Sequence, residues 1–188
     1  MKKYEFTGET KVWFGRVLKQ IRALVKIEFD FGVTINPGDI GGWIEKEDNL
    51  SHEGKAWVYG NTWVYGNARV CDDARVCDDA RVYGNAWVYG NARVYGNARV
   101  CDDAFISKDE HWLIAGPMGS RNDITTFFRN KAGTIKVKCG CFIGTIDAFL
   151  QKVEITHGDS KHAVVYRAAV ALAIAQIDVT PVEGKEDD

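Results

Sequence analysis

From Ala56 to Asp109 the chain repeats every six residues: AWVYGN, TWVYGN, ARVCDD, ARVCDD, ARVYGN, AWVYGN, ARVYGN, ARVCDD, AFISKD. A short fixed period without gaps restricts the chain to repeat architectures, in which each unit buries its apolar face against the next copy. Val58, Val64, Val70, Val76, Val82, Val88, Val94, Val100 and Ile106 occupy one position, and Ala or Thr stands two places before each. Strand side chains alternate faces. The small and β-branched residues therefore point inward, and the long residue between them points outward. Gly-Asn or Asp-Asp follows, and these residues accept the left-handed backbone that a sharp corner needs. The pattern predicts a mainly β fold, a left-handed parallel β-helix of hexapeptide repeats with three hexads to a triangular coil. A flattened coil of two hexads is the geometric alternative.

Three hexads per coil carry specific consequences for the outer walls. Trp57, Arg75 and Arg93 fall in one column, Trp63, Arg81 and Arg99 in a second, and Arg69, Trp87 and Phe105 in a third. Cations beside aromatic faces suit cation–π stacking. The Asp pairs 72–73, 78–79 and 102–103 land on corners where none meets another, which avoids like-charge repulsion. Cys71, Cys77 and Cys101 lie against tyrosines and not against each other.

The flanks read differently. Ile44 and Leu50 keep the six-residue spacing, but Val58 comes eight residues later, so Gly41–Lys55 reads as an imperfect first coil with a two-residue insertion. Residues 1–40 read as a small N-terminal β cap with strands at Tyr4–Thr7, Lys11–Val17 and Ile21–Phe31, and Pro37-Gly38 turns the chain into the coil. The repeat unit spans 41–109. Residues 110–180 read as an α+β unit covering the last coil. Its strands are His111–Ala115, Thr125–Arg129 and Thr134–Cys141. Thr145 caps a helix whose apolar face is Ile146, Phe149, Leu150 and Val153, Gly158 ends it, and Ser160 caps a second helix to about Ile177. Residues 181–188 read as a flexible acidic tail.

Net charge is −2, and five cysteines are an odd number. No basic field recruits nucleic acid or an acidic membrane. The cysteines read as reduced thiols rather than a disulfide framework. The start MKKYEFTG lacks the apolar core of a signal peptide, and no apolar run is long enough to span a bilayer. The expected location is cytoplasmic, with neither membrane nor nucleic acid as partner and no cofactor.

The phrases GDIGGWIEKEDNLS, WVYGNARV, GPMGSRNDITTFFR and VKCGCFIGTIDAF resemble those of proteins carried by bacteriophages and prophages, over nearly the whole chain. The resemblance implies an accessory protein acting in the cytoplasm of a bacterial host and brings no catalytic residues. Small proteins of that class often neutralise host defences. The expectation is a binding protein that inhibits or sequesters a host protein or a small nucleotide, itself open to homo-oligomerisation. Hexapeptide coils also resemble coenzyme A-dependent acyltransferases, but those carry a histidine on a coil or its loop, and here the hexads contain none. A structural spacer of a phage particle is the third class.

Three candidate sites follow from the residues. Trp57, Trp63, Trp87, Tyr59, Tyr65, Tyr89, Arg75, Arg81 and Arg93 form an outward aromatic and arginine wall suited to a partner protein. The GPMGSR turn presents Ser120 and Arg121 as an anion nest and clamp, with Arg129, Lys136 and Lys138 on nearby strands, suited to a phosphate or nucleotide. Cys139 and Cys141 share a strand face and with His157 and His162 are the weak metal candidates.

Overall fold

The chain opens with an antiparallel hairpin, β1 (Tyr4–Trp13) and β2 (Arg16–Ala23). It turns at Phe14 (φ 46°) and Gly15 (φ 77°), two positive φ values in succession, as a two-residue hairpin turn requires. The single strand expected over Lys11–Val17 is therefore two strands. β1 runs through Thr7 with a bulge between Phe6 and Thr10. The strand expected over Ile21–Phe31 breaks after Ala23. A short pair follows, β3 (Ile27–Glu28) with β4 (Thr34–Ile35). Then β5 (Ile40–Ile44) pairs antiparallel with β2.

Nine two-residue strands make the coils, each holding the second and third positions of a hexad. They are β6 (Trp57–Val58), β7 (Trp63–Val64), β8 (Arg69–Val70), β9 (Arg75–Val76), β10 (Arg81–Val82), β11 (Trp87–Val88), β12 (Arg93–Val94), β13 (Arg99–Val100) and β14 (Phe105–Ile106). In this computed structural model, which describes residues 1–180, they form a parallel β-helix. Arg81 pairs with Trp63 on one side and Arg99 on the other, eighteen residues away in each direction. Three walls stack in that register: β5-β7-β10-β13, β6-β9-β12 and β8-β11-β14. The three outward columns are those the hexad count predicts, and the two-hexad coil is excluded. The inner valines are fully buried, as are Ala56, Ala68, Ala74, Ala80, Ala86, Ala92 and Ala98. Each valine so buried contributes about 1.5–3 kcal/mol.

The corners explain why Asp-Asp alternates with Gly-Asn. Asp72, Asp78 and Asp102 all take the left-handed backbone, φ 58°, 62° and 61°. The Gly90 N–H donates to the Asp72 carboxylate one coil earlier at 3.0 Å, and the Gly96 N–H to Asp78 at 2.8 Å. In the imperfect first coil Glu45 takes the same part, accepting from the Gly66 N–H at 2.7 Å. The carboxylates of Glu45, Asp72 and Asp78 thus each satisfy a backbone donor of the next coil. Asn49 staples this first coil to the second. Its side chain accepts from the Glu45 and Lys46 N–H groups and donates to the Gly66 and Ala68 carbonyls, all with the residue fully buried.

The chain divides into two compact units, Met1–Asp109 and Glu110–Asp188. The second begins with an antiparallel sheet, β15 (Trp112–Met118), β16 (Asp123–Arg129), β17 (Ile135–Cys139) and β18 (Phe142–Thr145), in that order. β15 runs three residues past Ala115, so Gly116 and Pro117 lie in the strand and the turn is Gly119–Asn122. β18 was not expected: Gly140 (φ 55°) folds the segment after Cys139 back on itself. Helices α1 (Ile146–His157) and α2 (Lys161–Gln176) start at the expected caps. The Thr145 hydroxyl accepts from the Ala148 N–H, and the Ser160 hydroxyl from the Ala163 N–H. Phe127 and Val137 of the sheet pack with Phe149, Val153, Ala163, Val170 and Ala173 of the helices into this unit's core. The acidic tail expected at 181–188 lies outside the described residues. Among the described residues no helix is long and apolar enough to cross a membrane.

Candidate functional site

Much of the aromatic wall is covered by the chain itself. Trp57 is fully buried, and a Cβ on Gly41 at the start of β5 would sit 2.9 Å from its ring. Tyr89 is also buried, its ring 4.7 Å from Phe105. These two leave the proposed contact face, because a side chain sealed beneath its own chain has no surface to offer. Arg75 stands beside Trp57 in the column as expected, and its guanidinium stacks over Phe29 at 4.9 Å. Trp13 of β1 lies edge-on to Trp63 at 5.2 Å, and the Arg81 guanidinium sits over both rings. The hairpin thus covers the face of Trp63, while Gly41 and Phe29, beyond the hairpin, lie against Trp57 and Arg75. Tyr65 stacks on Tyr83 at 5.1 Å, and Arg69 lies over Trp87 at 5.2 Å. Exposed side chains on the walls are Arg69, Arg93 and Tyr95, with Arg93 tied to Asp109. Trp63, Trp87, Tyr59, Tyr65, Arg75 and Arg81 are half-buried.

The second unit holds a cavity of about 220 Å³. The turn after β15 brings Ser120 and Arg121 to it, the end of β17 brings Cys139 and the turn after it Cys141, α1 contributes Phe149, Lys152 and His157, and α2 contributes Tyr166. Two groups of residues that the sequence kept apart, the anion turn and the thiol–histidine set, thus share one cavity. Close packing fixes its frame. A Cβ on Gly119 would lie 1.8 Å from the Tyr166 hydroxyl oxygen, so only glycine lets that turn rest on the ring. The Arg121 Nη1 lies 3.5 Å from where a side chain on Gly140 would begin.

The Cys139 thiol donates to the Tyr166 hydroxyl at 3.8 Å. Burial first, and then that thiol, push the Tyr166 hydroxyl up to about 12, so it stays protonated and can donate. The His157 ring is 5.7 Å from those of His162 and Tyr166. The lining is mostly apolar, and Arg121, Lys152, the Ser120 hydroxyl and the Tyr166 hydroxyl are its donors, opposed by the Asp123 carboxylate. The two cations and the hydroxyls favour an anion at that end of the cavity.

Two expected members stand elsewhere. Arg129 is buried and donates to the Thr180 carbonyl at 3.0 Å. Lys138 donates to the Gly140 carbonyl at 2.7 Å and braces the turn rather than facing the cavity. Strand alternation turns Lys138 to the face opposite Cys139, whereas Arg129 shares the face of Phe127 but lies at the far end of β16. Lys152 and Tyr166 went unnoticed in the sequence. Lys152 lies one residue before the apolar Val153, and helical periodicity alone does not say that it borders a cavity. Cys139, Cys141 and His157 all line the cavity. Among the described residues, however, no three His, Cys, Asp or Glu side chains are grouped to hold a metal ion.

No curated protein matches the chain. Residues 74–90, 88–102 and 92–108 match the YdcK beta solenoid repeat family. The matched segments lie within the hexads, so over its coils the chain is similar to β-solenoid repeat proteins, and the likeness reaches neither the hairpin nor the cavity of the second unit.

Proposed function

We propose that this chain is a binding protein rather than an enzyme, and that the cavity of its second unit holds a small phosphate-bearing ligand of nucleotide type. The observation that carries this reading is the meeting of Arg121, Lys152 and the Ser120 hydroxyl beside the rings of Phe142, Phe149 and Tyr166. Cations and hydroxyls suit a phosphate, and aromatic faces suit a base. At about 220 Å³ the cavity is smaller than the ~300–1,000 Å³ of most small-molecule sites, so it takes a phosphate and one ring. The resemblance to phage-carried proteins supports a setting in a bacterial cytoplasm, where retaining such a ligand deprives a host defence of it.

Titration with AMP and with inorganic phosphate tests this reading. Arg121→Ala is expected to weaken AMP binding about tenfold or more, as loss of a charge-assisted hydrogen bond does. Absence of saturable binding, or binding indifferent to Arg121, overturns it. Capture of a host protein is the second reading, favoured by the exposed Arg69, Arg93 and Tyr95, and Tyr95→Ser with Arg69→Glu should abolish it. An acyltransferase would turn over acyl-coenzyme A. Against that stand the uninterrupted hexads without histidine and the complete burial of His111. A spacer would bind nothing and would be found in virions.

A further inference from the structure

The one irregularity in the coils builds a second cavity. Ile44 pairs with Val64 and Leu50 bridges Val70, both twenty residues on, whereas Trp57 pairs with Arg75 eighteen residues on. The two extra residues therefore lie between Leu50 and Trp57, in the segment that carries His52 and Lys55. The segment is pinned down at its far end. The Ala56 N–H donates to the Asp72 carbonyl at 2.7 Å and the Lys55 N–H to the Asp73 carboxylate at 3.2 Å. With nowhere to go along the wall, the extra length stands off the coil. Opposite it are Lys3 and residues Val25–Glu28, and the open cleft between them has a volume of about 650 Å³.

We infer that this cavity is a binding site for a phosphate-bearing anion, separate from the one in the second unit. Its polar lining is Lys3, Lys26, Lys55, His52 and Glu28, four donors against one carboxylate, and that carboxylate is already paired with Lys26. Lys55 has no ion-pair partner among the described residues. Lys3 is only 3% exposed. Its ammonium donates to the Glu53 and Gly54 carbonyls at 3.3 and 3.4 Å, which leaves one of its three N–H bonds for a ligand.

His52 is set up in the same sense. Its Nδ1 accepts the Lys3 backbone N–H at 3.1 Å, so in the neutral ring the proton sits on Nε2. That Nε2–H is buried and has no acceptor among the described residues. The ring is fixed by a parallel stack on Tyr4, 4.3 Å between centroids. A buried donor without a partner is costly, and an anion's oxygen removes the cost. Burial lowers Lys3 to about 8, so it is still charged at neutral pH. The cavity's volume falls within the range of small-molecule sites, and Val25 and Ile27 supply an apolar wall for the body of a ligand.

Calorimetric titration of the whole chain with inorganic pyrophosphate, at ionic strength held constant with chloride, tests this assignment. Three variants are compared: Lys55→Glu, His52→Phe, which keeps the stack on Tyr4, and Arg121→Ala. Lys55→Glu and His52→Phe are each expected to weaken one binding event about tenfold or more, and Arg121→Ala to leave that event unchanged. Lys55 is an exposed side chain, so its variant keeps the test alive if the His52 variant does not fold. Pyrophosphate that fails to saturate the wild type overturns the assignment. So does binding lost in Arg121→Ala yet intact in Lys55→Glu, which would put the anion in the second unit alone.

Discussion

Two glycines at equivalent corners separate the cost of a left-handed backbone from the cost of crowding the next coil. Gly60 has φ +50° and open space where a side chain would go. Gly84 has φ +74°, and a Cβ there would lie 2.8 Å from the Asp102 backbone nitrogen and 3.2 Å from its carbonyl oxygen. Alanine at either position carries the left-handed penalty of roughly 1–2 kcal/mol. At Gly84 the methyl also strikes backbone that cannot rotate away, and overpacking of this kind adds about 1–3 kcal/mol. Gly60→Ala is therefore expected to cost about 1 kcal/mol and Gly84→Ala about 3 kcal/mol. Urea unfolding followed by tryptophan fluorescence reads the difference, since Trp43, Trp57, Trp63 and Trp87 all sit on the coils. The midpoints should separate while the slopes stay equal. Equal losses from the two substitutions would refute the close approach of the Asp102 backbone to Gly84.

Three further outcomes can be measured. Asn49→Leu should destabilise the first unit by about 3 kcal/mol or more in the same assay, since it strands two backbone donors and two carbonyls in a buried place. Lys3→Met should stabilise it by about 2–3 kcal/mol at pH 7, because burial holds Lys3 near 8 against an ordinary 10.5. That penalty is complete below pH 8 and fades as the pH climbs toward 10.5, so the gain should shrink to about 1 kcal/mol or less at pH 10. Burial raises Cys77 to about 11 and Tyr59 and Tyr166 to about 12. Stability from these groups is intact below about pH 9 and is lost as pH rises through 9 to 12, so tyrosinate absorbance should appear late and together with unfolding.

The coils were legible because one rule acts on every hexad. A strand of period two, a corner that needs Gly, Asn or Asp, and a β-branched residue every sixth place leave one register that keeps the Asp pairs apart. The insertion near His52 was legible for the same reason, as a break in arithmetic. The hairpin was not: Phe14 gives no turn signal of its own, and the sheet it extends is specified by β5, more than twenty residues away. Nor did the sequence say that Trp57 would be sealed, since outward means only away from the coil's interior and another strand had a claim on that face. The cavity of the second unit was seen in pieces. Ser120 and Arg121 were singled out for charge, and Cys139, Cys141 and His157 for donor chemistry. What joins them is the unexpected fold-back at Gly140, a tertiary fact that short-range patterning does not carry.

The eighteen-residue coil also governs how such a chain can change its length. Losing or gaining three hexads at once returns every inner valine to its row, so genes of this kind can expand or contract by whole turns at little penalty. A single hexad lost in the middle moves all later hexads to the neighbouring wall, and the alternation of acid and glycine corners falls out of step. Length polymorphism among such genes should therefore come in multiples of one turn, like the pitch of a screw thread.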